Sequence, residues 1–294
     1  LDTIDAALKE AVDCRLGGRG QLGLSLSGGL DARTILGLID HDRVPVTSVS
    51  MGIAGCRDHK ISAELAALTN DRHHNYVLRP DFLDHFEAHL RRMVHLTDAQ
   101  YLSQCVVMPT LPFYREQGID VLLRGHAGEL LHMTKAYNFS LDAAALALRN
   151  ETELENWAFG RLSAYMLEAV DGPLLASSRM ADVDSLARDS LREALWESSG
   201  IEPQVQRIWH LFITQRLRRE TALSLVKFNS EVEIRLPYLD NRLVDLLLSA
   251  PPELKLGETI QAHVLKKHRP EFLDVPNVNT GTRIGAGRLS RTAA

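Results

Sequence analysis

Apolar positions follow two rhythms along this chain, and the change of rhythm divides it. Over residues 4–14 they fall at Ile4, Ala7, Leu8, Ala11 and Val12, the spacing of one helical face, until Gly17, Gly18 and Gly20 stop the pattern. Residues 21–26 then read as a short apolar strand. Ile35, Leu36, Leu38 and Ile39 mark a helix that starts near Leu30 or Asp31. Further strands are predicted over 44–51, 75–78 and 119–123. Helices are predicted over 60–68, 82–93 and 100–117, the last interrupted near Pro109 and Pro112. This alternation predicts an α/β fold: a parallel sheet with helices on both faces, and ligands at the C-terminal ends of its strands.

From about residue 141 the strand signal fades. Helical stretches cover 141–148, 157–170, 185–196 and 204–219, with Asp171-Gly172-Pro173 and Ser198-Ser199-Gly200 as breaks. The predicted organisation is an α/β nucleotide-binding lobe over 1–140 and a helical lobe over 141–274 packed on it. A flexible tail over 275–294, rich in Asn, Thr, Gly and Arg, completes it.

The chemistry concentrates on Ser27-Gly28-Gly29-Leu30-Asp31, between the first apolar strand and its helix. Two adjacent glycines let backbone N–H groups turn toward one point, since no Cβ blocks the approach or forbids positive φ. Such a nest at a helix N-terminus is an anion site, and Ser27 adds a hydroxyl donor. Asp31 puts an acid beside it, which repels phosphate unless a cation such as Mg²⁺ lies between them. The stretch is thus a nucleotide-phosphate loop with metal, or a tight turn with an acid at a helix start, where acids are favoured anyway. It matches neither G-x-x-x-x-G-K-[ST] nor G-x-G-x-x-G, which counts against P-loop and dinucleotide-binding folds.

Composition narrows the classes. The 294 residues, 45% hydrophobic, suffice for one large core or two closely packed lobes. A net charge of −5 and a pI near 6.2 leave no basic excess for nucleic acid or an anionic membrane. Cys14, Cys56 and Cys105 lie far apart, which suggests reduced cytosolic thiols rather than a disulfide frame or zinc site. No apolar run approaches the roughly 18 residues of a transmembrane helix. The polar, acidic opening residues do not resemble a signal peptide, so a cytoplasmic location is expected. His73-His74, as neighbours on a strand, point to opposite faces, which favours a structural role over a shared metal ion. The run from Arg216 to Arg219 reads as a solvated helix face.

Three segments, taken together, resemble the asparagine synthetase family. Ser27-Gly28-Gly29-Leu30-Asp31 looks like its pyrophosphate loop, S-G-G-L-D-S. Arg124-Gly125-His126-Ala127-Gly128-Glu129-Leu130 is similar to its S-G-[ED]-G-[SAG]-D-E segment. Residues 231–245, with Pro251-Pro252-Glu253-Leu254-Lys255 downstream, resemble its E-x-R-x-P-[FY]-L-D-x-x-[LF]-V block and P-P-E-L-K. By composition that last block is an extended segment followed by a helix N-capped by Asp240. Leu243, Val244, Leu246 and Leu247 form its buried face, and Glu233 and Arg235 share a side of the extended segment.

The resemblance covers roughly residues 6–272. It implies the synthetase lobe of that family, with an adenine-nucleotide α-hydrolase-like fold related to β-lactam synthetases and lasso-peptide cyclases. The implied activity is an ATP-dependent amide-forming ligase that activates a carboxylate as an acyl-adenylate and releases pyrophosphate. The cofactors implied are ATP and Mg²⁺. The implied nucleotide site comprises Ser25, Leu26, Ser27, Gly28, Gly29, Leu30, Asp31, Ala32, Met51, Arg124 and Gly125. Asp31 and Glu129 are the implied metal ligands, and His126, Glu129 and Lys266 the catalytic candidates. Expected partners are a small-molecule or peptide carboxylate, a separate amine or ammonia source and a second copy in a homodimer, with no nucleic acid and no membrane.

The sequence also departs from the family pattern. His126 and Leu130 stand where the family has acids, and Ala32 replaces the second serine of the loop. The family's lysine soon after P-P-E-L-K is missing from the run Gly257 to His263, leaving Lys255, Lys266 and Lys267 nearby. The family's D-R-x-S-M-A-like run is altered between Ser224 and Ser230, which argues against aspartate as substrate. His126 is then a base, a phosphate donor or a strand-end histidine. Arg33 and Arg124 either neutralise pyrophosphate or lie on the surface. These losses keep open a degenerate relative that binds ATP or phosphate only, in a regulatory or structural role.

Overall fold

The computed structural model describes residues 1–132, 141–167 and 177–285. The first part runs α1 (Asp2–Asp13), β1 (Leu22–Ser25), α2 (Leu30–Leu38), β2 (Thr47–Gly52), α3 (Arg57–Leu68) and β3 (Arg72–Val77). It continues through α4 (Phe86–Thr97), α5 (Thr110–Glu116), β4 (Val121–Leu123) and the one-turn α6 (Glu129–His132). The later part comprises α7 (Ala143–Leu146), α8 (Glu151–Leu167), α9 (Ser177–Trp196) and α10 (Gln206–Leu211). A π-helix (Phe212–Thr221), α11 (Ala222–Asn229), β5 (Glu233–Arg235), α12 (Asn241–Ser249) and α13 (Thr259–His268) follow. The break expected at Asp171-Gly172-Pro173 lies outside the described residues.

The five strands form one parallel sheet in the order β3-β2-β1-β4-β5. Both faces are covered, as the strand–helix alternation predicts. On β4, Val121 and Leu123 join the larger core with α1, α2 and α13, whereas Leu122 faces Val49, Met93, Leu111 and Phe228 across the sheet. Strands buried on both faces need apolar residues at every position, which is why they read as short unbroken runs.

Two features of the expected organisation are corrected. Residue 140 does not mark the end of the sheet. Glu233-Ile234-Arg235, from the part expected to be a helical lobe packed on the α/β lobe, pairs with β4 as the fifth strand. Its three residues are too short and too polar to announce a sheet strand. The tail is not free over 275–285 either. Val275, Asn277, Thr282 and Ile284 are buried, and Asn277 N–H donates to Thr282 O at 2.9 Å. Residues 286–294 lie outside the described part.

Candidate active site

The glycine loop leaves β1 at the C-terminal edge of the sheet. Leu26 N–H still donates to Val49 O at 2.9 Å, so β1–β2 pairing persists up to Ser27. Ser25 and Met51 are half-buried at the ends of β1 and β2, and Leu26, Leu30 and Ala32 are buried. Neither Gly28 nor Gly29 has positive φ. Their contribution is space instead. A Cβ on Gly28 would come within 2.8 Å of Val278 and 3.1 Å of Ile61. Gly29 is the N-cap of α2, and its N–H donates to Ser27 Oγ at 3.3 Å. Gly28 N–H donates to Asp58 Oδ1 at 2.8 Å, so a carboxylate from α3 already occupies part of the anion nest.

The second signature segment sits directly on the first. A Cβ on Gly125 would lie 2.9 Å from Asp31 Cβ, and one on Gly128 would lie 2.3 Å from the Asp31 carboxyl carbon. Glycine at both positions therefore lets the 124–129 loop rest on the first turn of α2. Ala127, between them, holds φ 67 in the left-handed region that favours glycine.

Asp31 is the hub of this contact. Its Oδ1 accepts from Gln261 Nε2 at 2.7 Å and lies 3.0 Å from His132 Nε2. Its backbone carbonyl accepts from the hydroxyl of the buried Tyr238 at 2.8 Å. Burial opposes protonation of His132, but the Asp31 carboxylate outweighs it and raises that pKa. Burial, and then the Asp31 charge, raise the pKa of Glu129. Asp31, Glu129 and His132 thus share one electrostatic site. Among the described residues, no group of three or more His, Cys, Asp or Glu side chains is arranged to hold a metal ion by itself.

Several expected residues stand elsewhere. Leu130 is fully buried among apolar groups, so the family's second acid is replaced by core packing. Arg33 is not on the surface, and it turns to backbone carbonyls beneath the nest rather than into it. It is buried, and its guanidinium donates to the carbonyls of Gly28 (3.0 Å), Phe272 (3.0 Å), Val275 (2.6 Å) and Pro276 (2.7 Å). Lys266 is exposed on α13 and is not gathered at Asp31. Gln261, Val264 and Leu265 take the inward face, and helical period turns Lys266 outward. Lys255 is buried under the Trp209 ring and donates to Leu247 O, a packing role. Lys267 pairs with Asp5.

His126 is no base in this setting. Burial, and then Arg124 and Lys227, push its pKa down to about 3. Its Nδ1 accepts from Arg124 Nε at 3.3 Å, which leaves the ring proton on Nε2 as a donor. Arg124 itself stacks its guanidinium 3.7 Å over the Phe228 ring. His73 and His74 point apart as expected. His73 bonds Ser48 Oγ and Asn75 Oδ1, while His74 meets the edge of Phe113. Of the charge run, Arg218 and Arg219 are exposed, but Arg216 is half-buried, pairs with Glu220 and acts on Glu129.

Sequence reasoning missed three site residues: Gln261, His132 and Tyr238 as a ligand of the α2 turn. Gln261 lies inside the run searched for a lysine, and Tyr238 inside the block read as architectural. Asp240 caps α12 as predicted, accepting from Arg242 N at 3.1 Å and Leu243 N at 3.4 Å. Glu233 and Arg235 meet at 2.7 Å on one side of β5.

A parallel sheet with a glycine nest at the end of its central strand, and an acidic hub at the head of the next helix, defines the adenine-nucleotide α-hydrolase-like class. Within that class the chain belongs to the asparagine synthase family, whose model matches residues 3–273. The chemistry of that family is ATP-dependent carboxylate activation and amide-bond formation, a carbon–nitrogen ligase activity. No curated protein matches the chain at a significant level. Among solved structures it is similar to NMN synthetase from Francisella tularensis. That similarity has 13% identity, covers 74% of this chain and 96% of that one, and has a TM-score of 0.35. Among the described residues, no helix is long and apolar enough to cross a membrane.

Proposed function

We propose that this chain binds Mg-ATP at the Ser27–Asp31 loop and activates a small-molecule or peptide carboxylate as an acyl-adenylate, releasing pyrophosphate. An amine or ammonia then forms the amide. The observation that carries this is the seating of Gly125 and Gly128 on Asp31. It draws two carboxylates, Asp31 and Glu129, to the head of α2 beside the phosphate nest.

The residues fit a divalent cation. Two crowded carboxylates resist joint ionisation, and hard oxygen ligands suit Mg²⁺. Asp31 and Glu129 would hold it, and when bound it screens charge on the phosphate oxygens. The chain's own part is positional. The helix α2 dipole would face the phosphates, Asp58 and Ser27 hold the Gly28 and Gly29 N–H groups of the nest in place, and Gln261 and His132 orient the Asp31 carboxylate. Fixed donors of this kind stabilise developing phosphate charge without reorganisation.

A second reading, nucleotide binding without ligation, is favoured by Leu130 in the apolar core and by neutral Gln261 in the run where the family carries lysine. Two measurements separate them. Asp31→Ala is expected to abolish Mg-ATP binding by calorimetry, and unchanged affinity would refute the metal assignment. Exchange of labelled pyrophosphate into ATP with candidate carboxylates tests the chemical step. Its absence with every substrate, alongside intact ATP binding, would select the second reading.

A further inference from the structure

On either side of Gly125, which rests on Asp31, Arg124 and His126 belong to a different cluster. Opposite them, from α11, stands Lys227. Its side chain is fully buried, yet its Nζ makes no hydrogen bond. It is flanked by two aromatic rings, Tyr101 at 5.0 Å and Phe228 at 5.8 Å, and the same Phe228 ring carries Arg124 on its face at 3.7 Å. Among the described residues, the ionisable groups acting on Lys227 are Arg124, a like charge, and the buried Cys105 thiol. Arg124 in turn bonds the Tyr114 hydroxyl. Arg124, bonded to His126 Nδ1, and Lys227 therefore act on one another and on His126, with no carboxylate among the groups that act on these three among the described residues.

A buried ammonium without an acceptor is strongly destabilising. Elsewhere this chain answers its buried cations. Arg33 meets four carbonyls, and Arg207 meets Glu151, Gln204, Ser198 and Leu195 O. Among the described residues Lys227 is the exception, and it acts on Arg124 and His126 just past the C-terminal end of β4. Partial relief comes from the rings, and burial brings its pKa down to about 8.

We infer that Lys227, Arg124 and His126 form a subsite for a carboxylate carried by the acceptor substrate, separate from the ATP phosphates. The inference deepens the proposed function and rests on it for the word acceptor. The planar Arg124 fork and the Lys227 point charge suit a carboxylate, and the His126 Nε2–H adds a third donor. The Tyr101 and Phe228 rings exclude water and strengthen each bond. Positions where the family's signatures carry hydroxyl or acid residues thus become a cationic grip in this chain. That change makes the three residues determinants of substrate choice.

The test uses succinate, without nucleotide, at constant ionic strength. Succinate is expected to raise the melting temperature of the wild-type chain and to shift the ¹⁵N resonances of His126 saturably. Lys227→Met is expected to fold, to melt higher than wild type without succinate, and to bind succinate about tenfold or more weakly, the loss of a charge-assisted bond. Lys227→Arg should retain much of the response. Equal succinate responses in wild type and Lys227→Met would overturn the subsite. So would a His126 resonance that succinate leaves unmoved, a measurement that needs no variant. Mg-ATP affinity, measured in parallel, should be the same in both proteins. If Mg-ATP fails to bind either while the succinate difference persists, the nucleotide reading falls and the anion subsite stands.

Discussion

Gly128 is the smallest residue at the site and carries one of its largest constraints. An added methyl would fall 2.3 Å from the Asp31 carboxyl carbon, so Gly128→Ala must push that carboxylate off Gln261 and His132. The expected outcome is a folded protein, normal by circular dichroism, whose Mg-ATP affinity drops at least about tenfold through lost preorganisation. Residue-level legibility was uneven for a physical reason. Residues in one continuous stretch, such as Ser27 to Asp31 or the Asp240 cap, announce themselves by local spacing. Gln261 and His132 acquire their role only when helices 230 and 101 positions away from Asp31 fold onto it, and no local pattern records that. Arg33 shows the converse. Its charge beside the loop suggests phosphate, but four backbone carbonyls claim it.

At the scale of elements, α1 and α13 are joined by a buried acid. Asp5 accepts from Lys267 Nζ at 2.5 Å and lies 2.7 Å from His268 Nε2. Burial alone would raise its pKa, but the bonds to Lys267 and His268 win and lower it below its ordinary 3.8. A depressed acid stabilises the fold above its unfolded pKa and ceases to do so as pH falls through the lower folded value. Wild-type melting temperature should therefore fall as pH drops below about 4. Asp5→Asn should start lower at neutral pH and lose less over that interval, as thermal unfolding across a pH series will show. The elements themselves were largely visible. Each of the first four strands and α1 to α4 stands near its predicted place, because buried parallel strands and amphipathic helices write their burial into the sequence. Two elements were not. The helix predicted over 204–219 changes to π geometry from Phe212 to Thr221, which leaves no signature in apolar spacing. β5 has three residues and borrows its identity from β4.

For the whole molecule, the expected boundary between two lobes gives way to one sheet built from both parts of the chain. The 275–285 segment extends that integration. Val278 N–H donates to Gly28 O at 3.1 Å, Asn277 bonds Glu258 at 3.1 Å, and Arg33 ties the segment to the floor of the nest. Arg33→Met would leave the carbonyls of Phe272, Val275 and Pro276 without their donor, while Gly28 O keeps its bond from Val278 N–H. It should cost more than about 3 kcal/mol in chemical denaturation and speed proteolysis within 277–285. Nothing in the polar composition of that segment signals a strap, since its bonds run through backbone groups that every residue shares.

The strap also sets an order in time. Chains emerge from the ribosome in sequence, and Gly28 is made long before Val275 and Pro276. Until those carbonyls arrive, Arg33 is an unanswered cation under a loop whose outer wall, Val278, does not yet exist. The nest thus takes shape only after residues 275–278 have been made, although its own residues precede them in the chain. An arrested nascent chain ending before this segment carries the whole Ser-Gly-Gly-Leu-Asp signature and still lacks the support beneath the nest.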